Sequence, residues 1–143
     1  MSTQGNNGSG PGGFNGTLVP ITVTPLFQKG PVVACDIDPP QNLHAGGHIK
    51  LSKNTNYILQ FNLAGGTPGG IGFRPDKNGS CDAFWSDPND CPRNQTNDPN
   101  YSPTRNSGTQ VTVNVTAPGQ DSCVNYRLNF DNNGYFDPVI IHQ

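Results

Sequence analysis

The sequence predicts an all-β fold, and three observations lead to that prediction. Short runs of alternating apolar and polar residues recur along the chain, as in Val111–Val115. Stretches rich in Gly, Pro and Asn separate these runs. No segment has the periodicity of an amphipathic helix over a useful length. Together they favour an immunoglobulin-like antiparallel β-sandwich of about seven to eight short strands with one long irregular loop.

Each candidate strand places alternate apolar side chains on one face, where they would form the core. Asp38-Pro39-Pro40 ends the second strand, because proline cannot donate to a ladder. Asn132-Asn133-Gly134 is typical of a hairpin turn before the last strand, since Asn and Gly accept positive φ. The candidate strands are Leu18–Phe27, Val32–Ile37, His48–Ser52, Tyr57–Leu63, Ile71–Phe73, Val111–Val115, Val124–Phe130 and Tyr135–Gln143.

The chain divides into an arm and a single domain. Its 143 residues fit one domain. Residues 1–16 form a flexible Gly/Asn-rich arm that cannot bury enough apolar surface to order itself, and Phe14 is its one anchor. Residues 17–143 form the sandwich domain, with the long loop 75–108. If the arm is ordered, a neighbouring element or subunit holds it.

Composition and charge exclude several classes of function. With a net charge of −2, the chain has no clustered basic face for a nucleic acid. No apolar run approaches the length of a membrane span, so no membrane insertion is expected. The polar start Met1-Ser2-Thr3-Gln4 has no signal-peptide pattern. The compartment stays open, although the cysteines favour an exported or surface-exposed protein.

Four cysteines permit two disulfides. Cys81 and Cys91 bracket a loop short enough to close, and a bridge there would remove about 3 kcal/mol of unfolded-state loop entropy. A Cys35–Cys123 bridge follows by elimination. The alternative is free buried thiols in a reduced cytoplasm. The spacings do not match a zinc site.

The end of the chain resembles a known family. Tyr126-Arg127-Leu128-Asn129-Phe130, followed by Gly134-Tyr135-Phe136-Asp137-Pro138-Val139-Ile140-Ile141, is similar to the ending of small bacterial proteins grouped as the DP-EP family. The shared element is a final hairpin with Asp-Pro before a β-branched run, and it covers about the last fifth of the chain. The family is uncharacterised, so the resemblance implies a small β-sandwich and no activity.

Two groups of residues could bind a metal. Asp131, Asn133 and Asp137 have the oxygen ligands and turn glycine of a partial calcium loop, although a hairpin turn whose side chains cap the backbone accounts for them as well.

Three imidazoles, on His44, His48 and His142, could form a copper or zinc centre, and solvent-exposed loop histidines are the alternative.

The long loop contains the candidate ligand-binding residues. Trp85 and Tyr101, with Asp87 and Asn89 nearby, suit a sugar: aromatic faces stack on its C–H groups while carboxylates and amides bond its hydroxyls. Alternatively, the aromatic residues close one end of the sandwich.

These observations leave two functions open. The first is a non-catalytic structural or self-assembly protein whose arm contacts a neighbouring subunit, either of the same chain or of another protein. The second is a carbohydrate-binding, lectin-like module, assisted by calcium in one version. No cofactor is otherwise expected. An enzyme is not expected either, because the chain has no nucleophile elbow and no phosphate-binding loop.

Overall fold

The computed structural model describes residues 7–45, 48–64 and 70–143. They confirm the all-β prediction, because they form strands, two short 3₁₀ helices (Pro11–Gly13 and Gln41–Leu43) and no α-helix. No helix in these ranges is long and apolar enough to span a membrane. The strands are β1 (Asn7–Ser9), β2 (Asn15–Lys29), β3 (Val32–Asp38), β4 (His44–Ala45), β5 (His48–Leu51), β6 (Tyr57–Leu63), β7 (Phe84–Asp87), β8 (Tyr101–Ser107), β9 (Gln110–Val115), β10 (Ser122–Asn129), β11 (Tyr135–Phe136) and β12 (Val139–His142).

The sheet is mixed, which corrects the expectation of purely antiparallel pairing. The strands form one hydrogen-bonded network in the order β4-β5-β12-β10-β11-β3-β2-β6-β9-β8, while β1 pairs with β2 and β7 with β10. Strands β2 and β6, β3 and β11, and β5 and β12 run parallel. Parallel partners need long crossover connections, which the alternation of side chains within a strand does not reveal.

Strand β2 joins the two halves of this network. From Thr17 to Val23 it runs parallel to β6, and from Thr22 to Lys29 it pairs antiparallel with β3. The β3 pairing shifts register directly after Pro25. A bulge is a position where a strand tolerates proline. One continuous strand therefore fixes the register of both halves.

The core lies where these two halves face each other. The ring of Phe61 on β6 lies 5.8 Å from that of Phe84 on β7 and 5.7 Å from that of Tyr126 on β10. Neither β7 nor β10 is next to β6 in the strand order, so the network folds back on itself. The inward faces predicted for the alternating strands are confirmed, with buried Val19, Ile21, Val23, Tyr57, Leu59, Phe61, Leu63, Val111, Val113, Val115, Val124, Tyr126, Leu128 and Phe130.

The predicted last strand is present in two pieces. Strands β11 and β12 keep one continuous antiparallel register along β10, from Asn129↔Tyr135 to Ser122↔His142. The sequence Asp137-Pro138 separates the two pieces. Proline has no N–H to donate, so the ladder is interrupted there. The buried side chains of β12 are Ile140 and His142, whereas Val139 and Ile141 are half-buried.

The region 75–108 has more regular structure than predicted. It contains β7 and β8, so Trp85 lies on a strand and not in a loop. Strand β8 was not predicted, because Tyr101 is its only large apolar side chain. It is an edge strand with polar residues on both faces, so its sequence shows no apolar–polar alternation. The candidate strand Ile71–Phe73 is reduced to a single bridge between Phe73 and Phe130.

Neither predicted disulfide is present, because all four cysteines are free. Cys81 is buried and Cys91 is exposed. Cys35 packs against the core while Cys123 is exposed, so these two thiols occupy different environments. Burial raises the pKa of Cys35 to about 12 and also raises that of Cys81. Both buried thiols are therefore protonated and poorly reactive at neutral pH.

The aromatic contact across the core can be tested with Phe61→Ala. The ring is fully buried, so its loss should lower the free energy of unfolding by about 3–5 kcal/mol, measured by urea denaturation. Gln120→Ala is the control: this side chain is exposed in a turn away from the core, and its truncation should change stability by no more than about 0.5 kcal/mol. Similar values for the two variants would contradict the packing described.

Candidate functional site

Trp85, the first candidate sugar-binding ring, is buried. Only 9% of the residue is exposed, and its Nε1 donates to Asp82 Oδ1 at 2.9 Å. The guanidinium groups of Arg74 and Arg127 lie 5.8 and 5.6 Å from the centre of its ring. Cation–π contacts of this kind stabilise the fold. The ring thus connects β7 to β10 and is not presented to a ligand.

Tyr101, the second candidate ring, is also buried. It stacks on Phe84 with ring centres 6.3 Å apart, and its hydroxyl lies 2.7 Å from His142 Nε2. Burial raises the pKa of Tyr101 well above its ordinary value, so the hydroxyl stays protonated. The contact joins β8, at one end of the strand order, to β12.

The polar candidates near these rings make turns. Asp87 Oδ1 accepts hydrogen bonds from the backbone N–H groups of Asn89 at 2.8 Å and Asp90 at 3.1 Å. This is an Asx-type turn that directs the chain away from β7. The four residues expected to bind a glycan are therefore not brought together on one exposed surface.

The candidate calcium ligands have other partners. Both carboxylate oxygens of Asp137 accept from Arg127, at 2.7 Å from Nε and 3.1 Å from Nη2. Asp131 Oδ1 accepts from the N–H of Gly72 at 3.1 Å. Asn133 has a φ of 64° and occupies the left-handed position of the turn. The hairpin-turn interpretation fits these contacts.

The three histidines lie in different surroundings. His44 Nε2 is 3.1 Å from Asp38 Oδ1, His48 is exposed and His142 is buried. Across the described ranges, no group of three or more His, Cys and Asp side chains is placed to hold a metal ion.

The described part of the arm folds back onto its own chain. Strand β1 pairs with the start of β2, from Asn7↔Thr17 to Ser9↔Asn15. Gly12 and Gly13, with φ values of 73° and 77°, reverse the chain between them. The anchor Phe14 is half-buried. Residues 1–6 of the predicted arm lie outside the described residues.

The arm covers a small site on the outer face of the sheet, which we call the arm seat (Leu18, Ile58 and Asn114). A Cβ built on Gly8 would lie 3.6 Å from Leu18 Cβ and 3.9 Å from Ile58 Cδ1. Ile58 lies outside the main core cluster and yet is only 1% exposed. The arm therefore buries an apolar side chain that the sheet leaves on its outer face.

Asn114 fixes the arm through its side-chain amide. Its Nδ2 donates to the carbonyl oxygen of Pro11 at 2.9 Å. A Cβ on Gly10 would collide with Asn114 Oδ1, so any side chain at that position would have to displace the amide of Asn114. This Oδ1 is buried and accepts no hydrogen bond from the described residues. The seat is therefore matched to the backbone of a glycine-containing segment.

The part of the outer face that β2, β6, β8 and β9 form around the seat is uncharged, whereas β3 adds Asp36 and Asp38 beside Thr24 and Thr22. Its amides and hydroxyls bond one another: Gln110 Nε2 donates to Asn62 Oδ1 at 2.9 Å, and Thr112 Oγ1 donates to Asn106 Oδ1 at 2.7 Å. The cross-strand register places the following uncharged side chains on this face: Leu18, Pro20, Thr22, Ile58, Gln60, Asn62, Ser102, Thr104, Asn106, Gln110, Thr112 and Asn114.

No protein-family model matches the chain, and no curated protein matches it either. The resemblance of residues 126–141 to the DP-EP family therefore stays a prediction.

The Gly/Asn-rich composition predicts the arm, but the arm seat was not predicted. The inward residues of β6 are Tyr57, Leu59, Phe61 and Leu63, which leaves Ile58 on the opposite face. Ile58 is a large apolar residue at a position of β6 that alternation assigns to the polar, outward face. Such a residue indicates that another segment covers that face.

The two buried tyrosines form a matched pair of tests. Tyr101→Phe removes the hydrogen bond to His142 and should lower the free energy of unfolding by about 1–3 kcal/mol. Tyr126→Phe removes a buried hydroxyl without a partner among the described residues. It should leave stability unchanged or raise it by about 1 kcal/mol. Urea denaturation of both variants checks this, and equal losses would contradict the assigned hydrogen bond.

The stability of the protein should depend on His142 below pH 6.5. Burial lowers the pKa of His142, while the charge of Asp98 and the backbone of Ser52 partly oppose that shift. The unfolded state then binds more protons, so stability is full above the unfolded pKa of about 6.5 and falls as pH drops toward the folded value. Denaturation midpoints of the wild type and His142→Gln between pH 5 and 8 test this. An equally steep decline in both would contradict it.

Proposed function

We propose that the protein is a non-catalytic structural protein that assembles with itself, with the N-terminal arm of one copy contacting a neighbouring copy. The observation that carries the proposal is the arm seat. An apolar side chain and an amide lie on an otherwise polar outer face and are covered by a short backbone segment. Such a segment adds main-chain pairing to a neighbour in many assemblies.

The contacts of the arm do not depend on which copy supplies it. The β1–β2 ladder, the Asn114–Pro11 hydrogen bond and the cover over Ile58 can all form when the arm crosses to a second copy. Only the reversal at Gly12 and Gly13 would have to straighten. Exchange of an identical element between protomers is a low-cost route to oligomers.

Charge also favours association of like surfaces. Residues 1–35 contain a single charged side chain, Lys29. Neither the arm nor the face it covers would repel a second copy.

We infer that the finer fold is an immunoglobulin-like β-sandwich. Supporting this are the ring contacts of Phe61 with Phe84 and Tyr126, which connect strands far apart in the pairing order. Two packed layers would give a rigid body that presents the arm seat on one outer face.

The alternative function, carbohydrate binding assisted by calcium, has less support. Stacking on a sugar requires exposed rings, and both Trp85 and Tyr101 are buried. The carboxylate of Asp137 would also have to leave Arg127 to bind an ion.

Arm exchange can be tested with Gly10→Val in the full chain. The new side chain would collide with Asn114 Oδ1, so the arm should leave its seat and the oligomer mass seen by native mass spectrometry should fall. Gly8→Ala is the matched control, because its Cβ would make only ordinary contacts. It should assemble like the wild type.

A second measurement shows which copy supplies the arm. Ser9, which lies on β1 ahead of the reversal at Gly12 and Gly13, is replaced by the photo-cross-linker benzoylphenylalanine, and isotopically light and heavy chains are mixed. Cross-links joining a light arm to a heavy body are expected. Cross-links only within one chain, with a monomer for all variants, would overturn the proposal.

A further inference from the structure

The tip of the β2–β3 hairpin exposes an apolar surface at the end of β2 opposite the arm. Leu26 is 57% exposed, Phe27 66% and Val32 46%, and no other large hydrophobic residue in the described ranges is exposed. Contiguous exposed apolar groups mark interaction sites more often than isolated ones do. We call Leu26, Phe27 and Val32 the apolar tip.

The apolar tip is held rigidly. Gly30, with a φ of 59°, occupies the hairpin turn between Lys29 and Val32. Gln28 Oε1 accepts from Asn132 Nδ2 at 2.8 Å, and the carbonyl oxygen of Pro31 accepts from the Tyr135 N–H at 2.8 Å. Since the neighbouring hairpin braces the tip, binding there costs little conformational entropy.

The same surface contains a groove beside the protruding ring. A cavity of about 60 Å³ is lined by Pro25, Leu26, Phe27, Gln28, Val33 and Ile71. That is several times the roughly 10–15 Å³ that one water molecule needs, so the end of an apolar side chain fits. A patch that holds both a protruding ring and an apolar groove is complementary to itself, as a two-fold interface requires.

The charges at the rim agree with pairing of like tips. Lys29 is exposed at the end of the hairpin, and Asp131 is exposed in the neighbouring turn that contacts Gln28 through Asn132. The rim therefore carries one charge of each sign. Two copies related by a two-fold axis can place each cation opposite an anion.

We propose that the apolar tip binds the tip of a second copy, with the edge of each Phe27 ring over the groove of the other copy. This inference rests on the proposed function and extends it. The arm seat at Leu18 and the tip at Phe27 lie toward opposite ends of the 15-residue strand β2, about 30 Å apart at roughly 3.3 Å per residue. Two interfaces so placed join copies into an open chain, whereas one alone stops at a dimer.

The test compares the wild type with Phe27→Asp and Asn89→Asp by sedimentation velocity over a range of concentrations. Both variants add one negative charge at an exposed position, but only Phe27→Asp lies at the tip. We expect assemblies larger than dimers for the wild type and Asn89→Asp. We expect Phe27→Asp to stop at dimers, with at least a tenfold weaker tip contact. Because Phe27 is exposed, circular dichroism should show native folding.

Three additional measurements separate the possible outcomes. Gly10→Val should also stop at dimers, now joined by their tips, and its combination with Phe27→Asp should be monomeric. Backbone hydrogen exchange of residues 25–33 should slow as the wild-type concentration rises. If Phe27→Asp assembles like Asn89→Asp, the tip contact is overturned and arm exchange stands. If Phe27→Asp reduces the size of the assemblies but Gly10→Val does not, arm exchange is wrong and the tip contact stands.

A lipid surface is the competing occupant. Flotation with phosphatidylcholine vesicles, with and without phosphatidylserine, tests it. Flotation of the wild type that Phe27→Asp abolishes, with no change in oligomer size, would overturn the proposed contact between copies. Absence of flotation together with the loss of larger assemblies supports it.

Discussion

The dual pairing of β2 is the constraint on which the rest of the structure depends. Thr22 and Val23 pair with β6 on one side and with β3 on the other. At this point the two halves of the network share one backbone, so their registers cannot move independently. The inward side chains Val19, Ile21 and Val23 are fully buried, and a slip of one residue would turn all of them outward. The positions of the arm seat and the apolar tip follow from the length of this strand, which carries Leu18 near one end and Phe27 near the other.

The residues with the most reactive chemistry serve packing. The guanidinium of Arg127 on β10 contacts the ring of Trp85 on β7 and pairs with the carboxylate of Asp137, between β11 and β12. Tyr101 and His142 do the same between β8 and β12. A domain with few large apolar residues can use such polar contacts to close the borders of its sheet. Pairing the Arg127 guanidinium with Asp137, and the Tyr101 hydroxyl with His142 Nε2, lowers the free-energy cost of burying these groups.

The sequence predicts those strands whose apolar and polar residues alternate, and it does not predict the strands that lack this alternation. Alternation correctly located β6, β9 and β10, where Phe61, Val113 and Tyr126 face the core, and the turn at Asn133 was recognised from its tolerance of positive φ. Strands β7 and β8 were missed because they carry no alternation. Parallel pairing was missed because it depends on connections and not on residue type. The arm was recognised by composition, while its seat depends on one outward isoleucine, Ile58, whose role appears only when the arm is placed over it.

The position of the C-terminal segment has a consequence for the order in which the chain folds. Strands β11 and β12 follow every other strand of the sheet in the sequence and yet do not lie at a border. They are inserted between β10 on one side and β3 and β5 on the other. Until they arrive, β3 and β5 have an unpaired edge although they were synthesised about a hundred residues earlier. Contacts so distant in sequence form slowly, and open strand edges are prone to pair with other chains. We therefore expect the sheet to become native only after residues 135–142 have left the ribosome. Loss of β12 would leave a gap inside the sheet and not a shortened edge.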